Sequence, residues 1–352
     1  MFTSSSLYQE DLDNILSCAL PWKELQGKKL LITGASGLIG TVLIDALMKW
    51  NRNVKNGITI FAVGRNEQRI KERFSDYLDN LYFKFIRWDV NETADFNVQI
   101  DYVIHAASNT HPKAYAGDPI GSIMTNLLGL RNVLDFAHKI QSKRVLFLSS
   151  VEIYGKAYRE DDVFTEEYCG YIDCNTLRAG YPEGKRAGEA LCQAYIEKYD
   201  MDIVIPRLSR IYGPTMLLSD SKAMSQFIIN CVHDEDIILK SEGKQRFSYT
   251  YAADAVEALF FLLLKGKNGE AYNVAQTDYP LTFCELTKLM AASVSRQVVF
   301  DLPSDIERKG FSKAMIAVMS SEKIEKLGWK MRNTMDKGLI KTISILKSME
   351  NL

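Results

Sequence analysis

The chain has 352 residues, of which 47% are apolar and 25% charged, and its formal net charge is −1. This balance is typical of a soluble globular protein and disfavours binding to nucleic acid or to a membrane surface through bulk charge. No apolar run approaches the roughly 18 residues of a membrane span, and the N-terminus lacks the pattern of a signal peptide. We therefore expect a cytoplasmic protein.

The cysteines and histidines indicate neither a metal site nor a disulfide framework. The six cysteines are scattered without a CxxC pair, and none of the four histidines stands at ligand spacing from a cysteine. Cytoplasmic proteins keep such thiols reduced. We predict no metal.

Apolar periodicity predicts strands and helices in alternation. An N-terminal helix that contains Leu12, Ile15, Leu16 and Leu20 ends at Pro21. The predicted strands are 29–32, 57–63, 81–87, 102–105, 143–148 and 202–205, and the predicted helices are 38–50, 66–80, 120–138 and 181–199. This alternation predicts an α/β fold with a parallel sheet and helices on both of its faces.

A glycine-rich turn joins the first of these strands to the next helix. Gly34, Gly37 and Gly40 stand at intervals of three residues. Gly34 permits a tight turn, Gly37 lets backbone N–H groups approach a ligand, and Gly40 lets the helix pack close to the strand. Because a helix N-terminus attracts anions, the turn predicts a dinucleotide pyrophosphate site. The alternative is a glycine-rich turn without a ligand.

The ends of the predicted strands hold the other candidates for ligand binding. Ligands of open parallel sheets bind at the carboxyl ends of the strands. The residues that fall there are Gly34, Arg65, Asp89, Ala106 and Ser149. We expect them to line one cleft.

A second patch carries proton-transfer chemistry. Tyr181 and Lys185 are four residues apart and therefore share one helix face. A phenol has a pKa near ~10, and a nearby ammonium favours the phenolate, which could then exchange a proton with a hydroxyl or a carbonyl. Ser150, at the end of a strand, is the candidate for holding the same oxygen. The alternative is an ordinary pair on a helix surface.

Beyond residue 207 the alternation loosens. Helices are predicted at 221–233, 253–265, 283–293 and about 335–350, and a short apolar run lies at 297–302. We predict an N-terminal extension over 1–28, a nucleotide-binding domain over 29–207, and a smaller lobe over 208–352 that is interleaved with that domain and closes over a second ligand.

Taken together, these motifs resemble the extended short-chain dehydrogenase/reductase family that acts on nucleotide-activated sugars. The resemblance covers nearly the whole chain. It rests on the glycine turn, Asp89-Val90, His105-Ala106-Ala107, Asn126, the segment Ser149 to Gly155, Tyr181 with Lys185, Pro206-Arg207, Tyr212-Gly213-Pro214 and Leu327-Gly328-Trp329.

The resemblance implies a Rossmann domain, a C-terminal lobe that grips a nucleotide diphosphate, and a homodimer. The catalytic residues it implies are Ser150, Glu152, Tyr181 and Lys185. The cofactor-binding residues it implies are Gly34, Ser36, Gly37, Leu38, Ile39, Gly40, Arg65, Asp89, Val90, Ala106, Ala107, Ser108, Asn126, Ser149, Tyr181, Lys185 and Pro206.

Local similarity is greatest to UDP-glucuronate decarboxylases. It lies at Glu152 and in the run from Arg178 to Glu189. In that group the glutamate and the arginine assist chemistry beyond hydride transfer. Dehydratases of the family place an aspartate before the glutamate, where this chain has Val151, which disfavours a 4,6-dehydratase acting on glucose-type substrates.

The chain also departs from the family pattern. No acidic residue ends the second strand, and Arg65 resembles the arginine that accepts a 2′-phosphate, which favours NADP(H) over NAD(H). Arg210 replaces an asparagine of the family. The slot of the substrate arginine holds Phe247, with Arg246 beside it. The candidates for substrate binding are Arg178, Arg210 and Arg246.

Three functions remain open at this point. The favoured one is net reduction of a nucleotide-linked keto sugar by NADPH. The second is a redox-neutral decarboxylase, epimerase or dehydratase that recycles its cofactor, which Glu152 favours. The third is a non-catalytic protein that senses a dinucleotide.

The predicted helices 120–138 and 181–199 form a four-helix dimer interface in the family. Leu127, Leu130, Val133 and Leu134 provide more apolar surface than one packed face requires. The sequence therefore predicts a homodimer. The alternative is that both helices only pack on the sheet.

Overall fold

The computed structural model describes residues 2–108, 110, 117–276, 281–301 and 315–350. Its centre is a parallel sheet in the spatial order β3-β2-β1-β4-β5-β7-β12, with the short strand β6 paired to β7. The strands are β1 (Lys29–Thr33), β2 (Thr59–Gly64), β3 (Phe83–Arg87), β4 (Tyr102–His105), β5 (Arg144–Phe147), β6 (Ser149–Ser150), β7 (Ile203–Leu208) and β12 (Ala271–Val274). The order reverses direction between β1 and β4, and ligands of such sheets bind beside that point.

Helices cover both faces of the sheet, as the alternation predicted. They are α1 (Ser6–Leu16), α2 (Leu38–Asn51), α3 (Glu67–Arg73), α4 (Pro119–Met124), α5 (Leu130–Lys139), α6 (Gly180–Tyr199) and α8 (Ala252–Lys265). A single π-helical turn, Thr125–Gly129, connects α4 to α5. The predicted α/β class and the Rossmann architecture are confirmed.

The two-residue period of the strands builds a separate core on each face of the sheet. Leu30 and Ile32 of β1 face the side of α1, α2 and α8, whereas Leu31 faces the side of α5 and α6. All three side chains are fully buried. Successive strand residues point to opposite faces, so a run of consecutive apolar residues is what a sheet covered on both sides requires.

The C-terminal third of the chain forms a smaller lobe and also returns to the main sheet. The lobe contains α7 (Ala223–Val232), α9 (Phe283–Ser293), α10 (Glu322–Glu325), α11 (Met335–Glu350) and the strand pairs β8–β11, β9–β13 and β10–β14. These strands are β8 (Arg210–Tyr212), β9 (Ile237–Leu239), β10 (Arg246–Phe247), β11 (Tyr249–Tyr251), β13 (Val298–Phe300) and β14 (Ile316–Ala317). α8 and β12 lie between lobe segments in sequence but pack on the main sheet.

Two predicted helices differ from those observed, and one strand of the main sheet was not predicted. The N-terminal helix ends at Leu16 rather than at Pro21, because Ser17 caps it and the chain turns before Leu20. The helix predicted over 66–80 ends at Arg73 and gives way to a 3₁₀ turn, in which Phe74 and Tyr77 turn into the core. The sequence analysis missed β12 altogether. The predicted apolar run 297–302 lies within the described residues only as far as Asp301, and forms β13.

The apolar residues cited for a dimer are mostly used inside one chain. Leu130, Val133 and Leu134 are fully buried, since they pack on the sheet beside α6. Leu130, Val133 and Leu134 therefore leave no apolar surface for a dimer interface. Exposed apolar side chains lie instead on α4, at Ile120, Ile123 and Met124.

Candidate active site

The glycine turn is a tight cradle between β1 and α2. Gly34 has a φ of +69°, and a Cβ there would come within 2.9 Å of the backbone of Ala106. A Cβ at Gly40 would come within 2.5 Å of the Ala35 carbonyl oxygen. Only glycine fits at either position, and the first N–H groups of α2 have no partners within the helix. The half-buried residues Ser36, Gly37, Leu38 and Ile39 lie at this helix start.

The end of β4 is fixed over this cradle by buried polar contacts. Thr33 Oγ1 lies 2.8 Å from His105 Nδ1 and accepts a hydrogen bond from the Ala107 N–H at 3.1 Å. Burial, together with the charge of Lys185, lowers the pKa of His105 to about 3, so the imidazole is neutral. Ala106 and Ala107 are thereby held against the turn, where the sequence placed them.

Arg65 and Asp89 meet at the ends of β2 and β3. Arg65 Nη1 lies 3.6 Å from Asp89 Oδ2, and the Arg65 side chain is 63% exposed. Exposed ion pairs of this kind contribute little to stability. Val90 is buried beside them, and its carbonyl accepts a hydrogen bond from Asn132. Arg65 is therefore accessible to a ligand at the carboxyl edge, but it already faces a carboxylate.

Asn126 lies in the π-helical turn and faces the same edge. Ser108 Oγ donates to Asn126 Oδ1 at 2.8 Å, and Asn126 Nδ2 donates to the Ser122 carbonyl at 2.9 Å. Single π-helical turns occur frequently at functional sites. The structure thus brings together Ser108 and Asn126, two of the predicted cofactor-binding residues.

Tyr181 and Lys185 share the buried face of α6, next to the end of β5. The Ser150 side chain is hydrogen-bonded to Tyr181. Lys185 Nζ donates to the Leu148 carbonyl at 2.7 Å and lies over the Phe147 ring. Burial lowers the pKa of Lys185 to about 8, and the charges of Cys192 and Glu189 oppose this shift.

The sequence predicts that Lys185 lowers the pKa of Tyr181, whereas in the structure burial has the largest effect on the pKa of this phenol. Burial raises the pKa of Tyr181 to about 12, the Ser150 hydrogen bond opposes this shift, and the charge of Glu152 adds to it. The Lys185 ammonium is turned to the Leu148 carbonyl.

Ser149 belongs to a buried network rather than to the Tyr181 pair. Its Oγ donates to Glu189 Oε1 at 2.5 Å, and Glu189 forms a bidentate ion pair with Arg207. Arg207 also donates to Tyr154 Oη at 3.0 Å. The sequence analysis gave Glu189 and Arg207 no role, although both stood in its motifs. The predicted Pro206 is buried within β7, in register with Tyr272.

Glu152 faces the lobe. It lies in the 3₁₀ turn after Ser150, and its Oε1 is 3.2 Å from Nη2 of Arg210. The Arg210 guanidinium lies over the ring of Phe247, with Cζ 3.7 Å from the ring centre. A row of contacts therefore runs from Tyr181 through Ser150 and Glu152 to Arg210.

The other two predicted substrate arginines lie apart from this row. Arg178 is exposed in the 3₁₀ turn before α6. Arg246 lines a cavity of about 530 Å³ with Asp161, Glu322 and other residues. Within the described ranges, no hydrogen bond or ion pair joins either arginine to Glu152 or Tyr181.

The described residues show neither a metal site nor a membrane span. Over the part of the chain that the structure describes, no group of three or more His, Cys, Asp or Glu side chains is arranged to hold a metal ion. A helix long and apolar enough to cross a bilayer is likewise absent from these residues.

Comparison with known proteins gives one matching family model and many relatives. The model described as "NAD dependent epimerase/dehydratase family" matches residues 30–275. UDP-glucuronic acid decarboxylase 6 of Arabidopsis thaliana is 29% identical, over 88% of this chain and 86% of its own length. UDP-glucuronic acid decarboxylase 2 of the same plant is 27% identical, over 89% and 67%.

Solved structures are similar in fold at lower identity. An epimerase of Methanothermobacter thermautotrophicus is 18% identical, with a TM-score of 0.80 over 98% of this chain and 97% of its own. A dTDP-glucose 4,6-dehydratase of Streptomyces venezuelae, solved with NAD, is 20% identical, with a TM-score of 0.78 over 92% and 98%. A UDP-glucuronic acid 4-epimerase of Bacillus cereus, solved with UDP-glucuronic acid and NAD, is 20% identical, with a TM-score of 0.75 over 91% and 99%.

Proposed function

The chain belongs to the NAD dependent epimerase/dehydratase family, and from this premise we propose that it is an enzyme that transforms the sugar of a nucleotide sugar without net redox change. The predicted preference for net reduction by NADPH is not supported, because the relatives and neighbours are named decarboxylases, epimerases and dehydratases. The redox-neutral alternative fits them better.

The observation that carries this proposal is the row formed by Tyr181, Ser150 and Glu152. A reductase needs one proton donor for the reacting oxygen. A dehydratase or a decarboxylase oxidises one carbon and then needs a second group that moves a proton or guides bond cleavage at a neighbouring carbon. Glu152 stands two residues after Ser150 in the sequence and accepts a hydrogen bond from Arg210, which supports that second role.

The carboxyl edge fits a nicotinamide dinucleotide. The cradle at Gly34 and Gly40 would be filled by any Cβ, and the start of α2 offers unpaired N–H groups to a diphosphate. When bound there, the dinucleotide supplies the acceptor and donor for hydride. Arg65 supports the predicted preference for NADP(H), whereas its ion pair with Asp89 and the NAD of the neighbours support NAD(H).

The residues of the chain then divide the proton chemistry. Tyr181 Oη exchanges a proton with the sugar oxygen, and the Ser150 hydroxyl orients that oxygen. Lys185 keeps positive charge beneath the pair, anchored at Leu148. A non-catalytic dinucleotide sensor would have no use for this arrangement.

Removing the Tyr181 hydroxyl tests the assignment. Tyr181→Phe should bind cofactor and substrate almost normally but turn over ~10²–10⁴-fold more slowly, because a general acid–base group is lost. The wild type and the variant are incubated with a panel of nucleotide sugars, while product mass and nicotinamide absorbance are followed. Tyr199→Phe is the matched control, about 27 Å away along the same helix. Near-normal turnover of Tyr181→Phe would reject the site.

Glu152→Gln distinguishes the two reaction types in the same assay. In a dehydratase or a decarboxylase it should cost at least ~10²-fold and let an oxidised intermediate accumulate. If Glu152→Gln is nearly as active as the wild type and product forms only with consumption of NADPH, the enzyme is a net reductase.

We also propose that the enzyme is a homodimer, which is supported by the exposed apolar residues on α4 beside α6. Ile120→Glu should then shift the particle from dimer to monomer in light scattering at micromolar concentration, because a charge in an apolar interface is costly. Leu81→Glu, also exposed but on the loop before β3, is the control. A monomeric wild type would contradict the dimer.

A further inference from the structure

We infer that Arg210 binds an anionic oxygen of the substrate, and that Phe247 is the platform that holds its guanidinium in position. This inference rests on the proposed function and names the chemistry that one wall of the same site recognises. The oxygen belongs either to the diphosphate or to a carboxylate on the sugar.

The first evidence is an unused donor. A guanidinium carries five N–H donors and keeps its charge at any relevant pH. Nη2 of Arg210 faces Glu152 at 3.2 Å, whereas Nη1 is shielded from solvent and has no hydrogen-bond partner among the residues that the structure describes. A buried charged donor without a partner is costly, and native proteins seldom leave one without a reason. A substrate oxygen at Nη1 supplies the reason.

The second evidence is the fixed position of the guanidinium. Its Cζ lies 3.7 Å from the centre of the Phe247 ring. Phe247 is itself buried and contacts the rings of Tyr249 and Phe283 edge-on. A guanidinium on an aromatic face keeps its in-plane N–H groups free for ligands, and a rigid ring limits the loss of side-chain entropy on binding. Arg210 is thus preorganised for planar recognition of an oxyanion.

The third evidence is its location. Arg210 follows β7 by two residues and pairs with Tyr249 across β8 and β11. Its ion-pair partner Glu152 donates its backbone N–H to Ser150 Oγ, and Ser150 is hydrogen-bonded to Tyr181. An anion on Nη1 therefore lies near the reacting part of the sugar, on the side where the lobe meets the sheet.

The positions of the two residues give an independent reason to consider them as a pair. By resemblance, the family places an asparagine at 210 and an arginine in the slot of Phe247. This chain has an arginine and a phenylalanine at these two positions. The observed stacking shows that the two changes meet in space.

Ligand affinity tests the inference. The cofactor-loaded protein is titrated calorimetrically with UDP, UDP-glucose, UDP-glucuronic acid, dTDP and dTDP-glucose, and the ligands that bind the wild type are taken to the variants. Arg210→Gln should weaken binding of anion-bearing ligands about 10- to 100-fold, the loss expected for a charge-assisted hydrogen bond. Arg52→Gln, an exposed arginine at the end of α2, should bind as the wild type does.

Two further variants distinguish ligand binding by Arg210 from a role of Arg210 that only positions Glu152. Glu152→Gln breaks the same ion pair but leaves the guanidinium, so ligand affinity should stay equal or rise while kcat falls. The exchange Arg210→Asn with Phe247→Arg should recover affinity to within about 10-fold of the wild type. This exchange also keeps the test open if Arg210→Gln fails to fold, which far-ultraviolet circular dichroism would reveal.

The ligand panel identifies the oxygen. A loss confined to UDP-glucuronic acid assigns Nη1 to the sugar carboxylate, and an equal loss for all the nucleotides assigns it to the diphosphate. Affinities within 2-fold of the wild type in Arg210→Gln would overturn the inference and leave the proposed function intact. If the wild type binds none of the five ligands, the proposed function fails as well.

Discussion

Ser149 and Ser150 are chemically identical neighbours, yet the structure gives them different partners. Successive residues of a strand point to opposite faces. Ser149 contacts the ion pair of Glu189 and Arg207, whereas Ser150 contacts Tyr181, and both Glu189 and Tyr181 belong to α6. A shift of one residue in this strand would exchange the two hydroxyls, so the buried ion pair fixes the register on which the proposed chemistry depends.

We propose that the preference between NADP(H) and NAD(H) depends on Arg65. A 2′-phosphate at the end of β2 would gain a charge-assisted contact with its exposed guanidinium. Arg65→Ala should therefore weaken NADP(H) binding by ~1.5–3 kcal/mol, while NAD(H) binding changes by less than ~0.5 kcal/mol.

Fluorescence titration of wild type and variant with both cofactors measures this difference. Arg69→Ala, one turn further on near the start of α3, is the control. If Arg65→Ala leaves the affinity for NADP(H) unchanged, the guanidinium has no part in cofactor recognition.

At the scale of elements, a buried carboxylate joins α1 to the Rossmann sheet. Asp45 on α2 accepts hydrogen bonds from Tyr8 of α1 at 2.7 Å and from Tyr77 at 2.9 Å. Burial raises the pKa of Asp45 to about 6, although both phenols oppose that shift. The folded protein therefore holds this proton more tightly than the unfolded chain does.

This contact makes stability depend on pH in a defined direction. With a raised pKa in the folded state, the contribution of Asp45 is complete below about pH 4 and is lost as pH rises through 6. Asp45→Asn has no proton to lose, so its free energy of unfolding relative to the wild type should rise by about 3 kcal/mol between pH 4 and pH 8.

Urea unfolding at several pH values measures this change. Asp79→Asn, at an exposed position, should follow the wild type at every pH. Parallel pH profiles for Asp45→Asn and the wild type would show that Asp45 titrates equally in the folded and unfolded states.

The elements that the sequence predicted well are those with long or purely apolar patterns. β1 is buried from Leu30 to Thr33, β4 is buried along its full length, and α9 was predicted to the residue. β12 was missed because it has four residues and contains Asn273, whose polarity is typical of a loop. Only the folded structure shows that Tyr154 and Phe164 satisfy this buried amide.

The same limit applies to the candidate site. The glycine turn and the spacing of Tyr181 and Lys185 are local patterns, and the sequence displays them. The stacking of Arg210 on Phe247 and the bond from Ser149 to Glu189 join residues 37 to 40 positions apart. Such pairs become visible only when the topology brings distant segments of the chain together.

At the scale of the whole molecule, we expect the sheet and the lobe to unfold as one cooperative unit. β12 pairs with β7 along its full length, and α8 is buried from Ala252 to Leu263. A fragment of residues 1–208 would expose the β7 edge and the apolar face beneath α8. It should therefore melt without a cooperative transition and bind a hydrophobic dye, whereas the complete chain should unfold in a single step.

Calorimetry and dye binding on both proteins check this expectation. A fragment of residues 1–208 that melts sharply and binds a nicotinamide dinucleotide would show that the Rossmann part folds alone. The return of α8 and β12 to the main sheet would then contribute little to the stability of the Rossmann part.

The hydrogen bond between Tyr154 and Asn273 has a consequence for folding during translation. Arg207 forms an ion pair with Glu189, the partner of Ser149, and also contacts Tyr154. Both Tyr154 and Arg207 are translated long before Asn273, which accepts a hydrogen bond from Tyr154 on the edge strand β12. At 5–20 residues per second, the stretch from Leu208 to Val274 takes roughly 3–13 s to synthesise. During that interval the nascent chain holds a complete glycine turn but an unbraced Ser149–Ser150 segment. Because β12 and α8 complete the sheet, dinucleotide affinity and enzymatic competence should both arise only after Val274 has been synthesised.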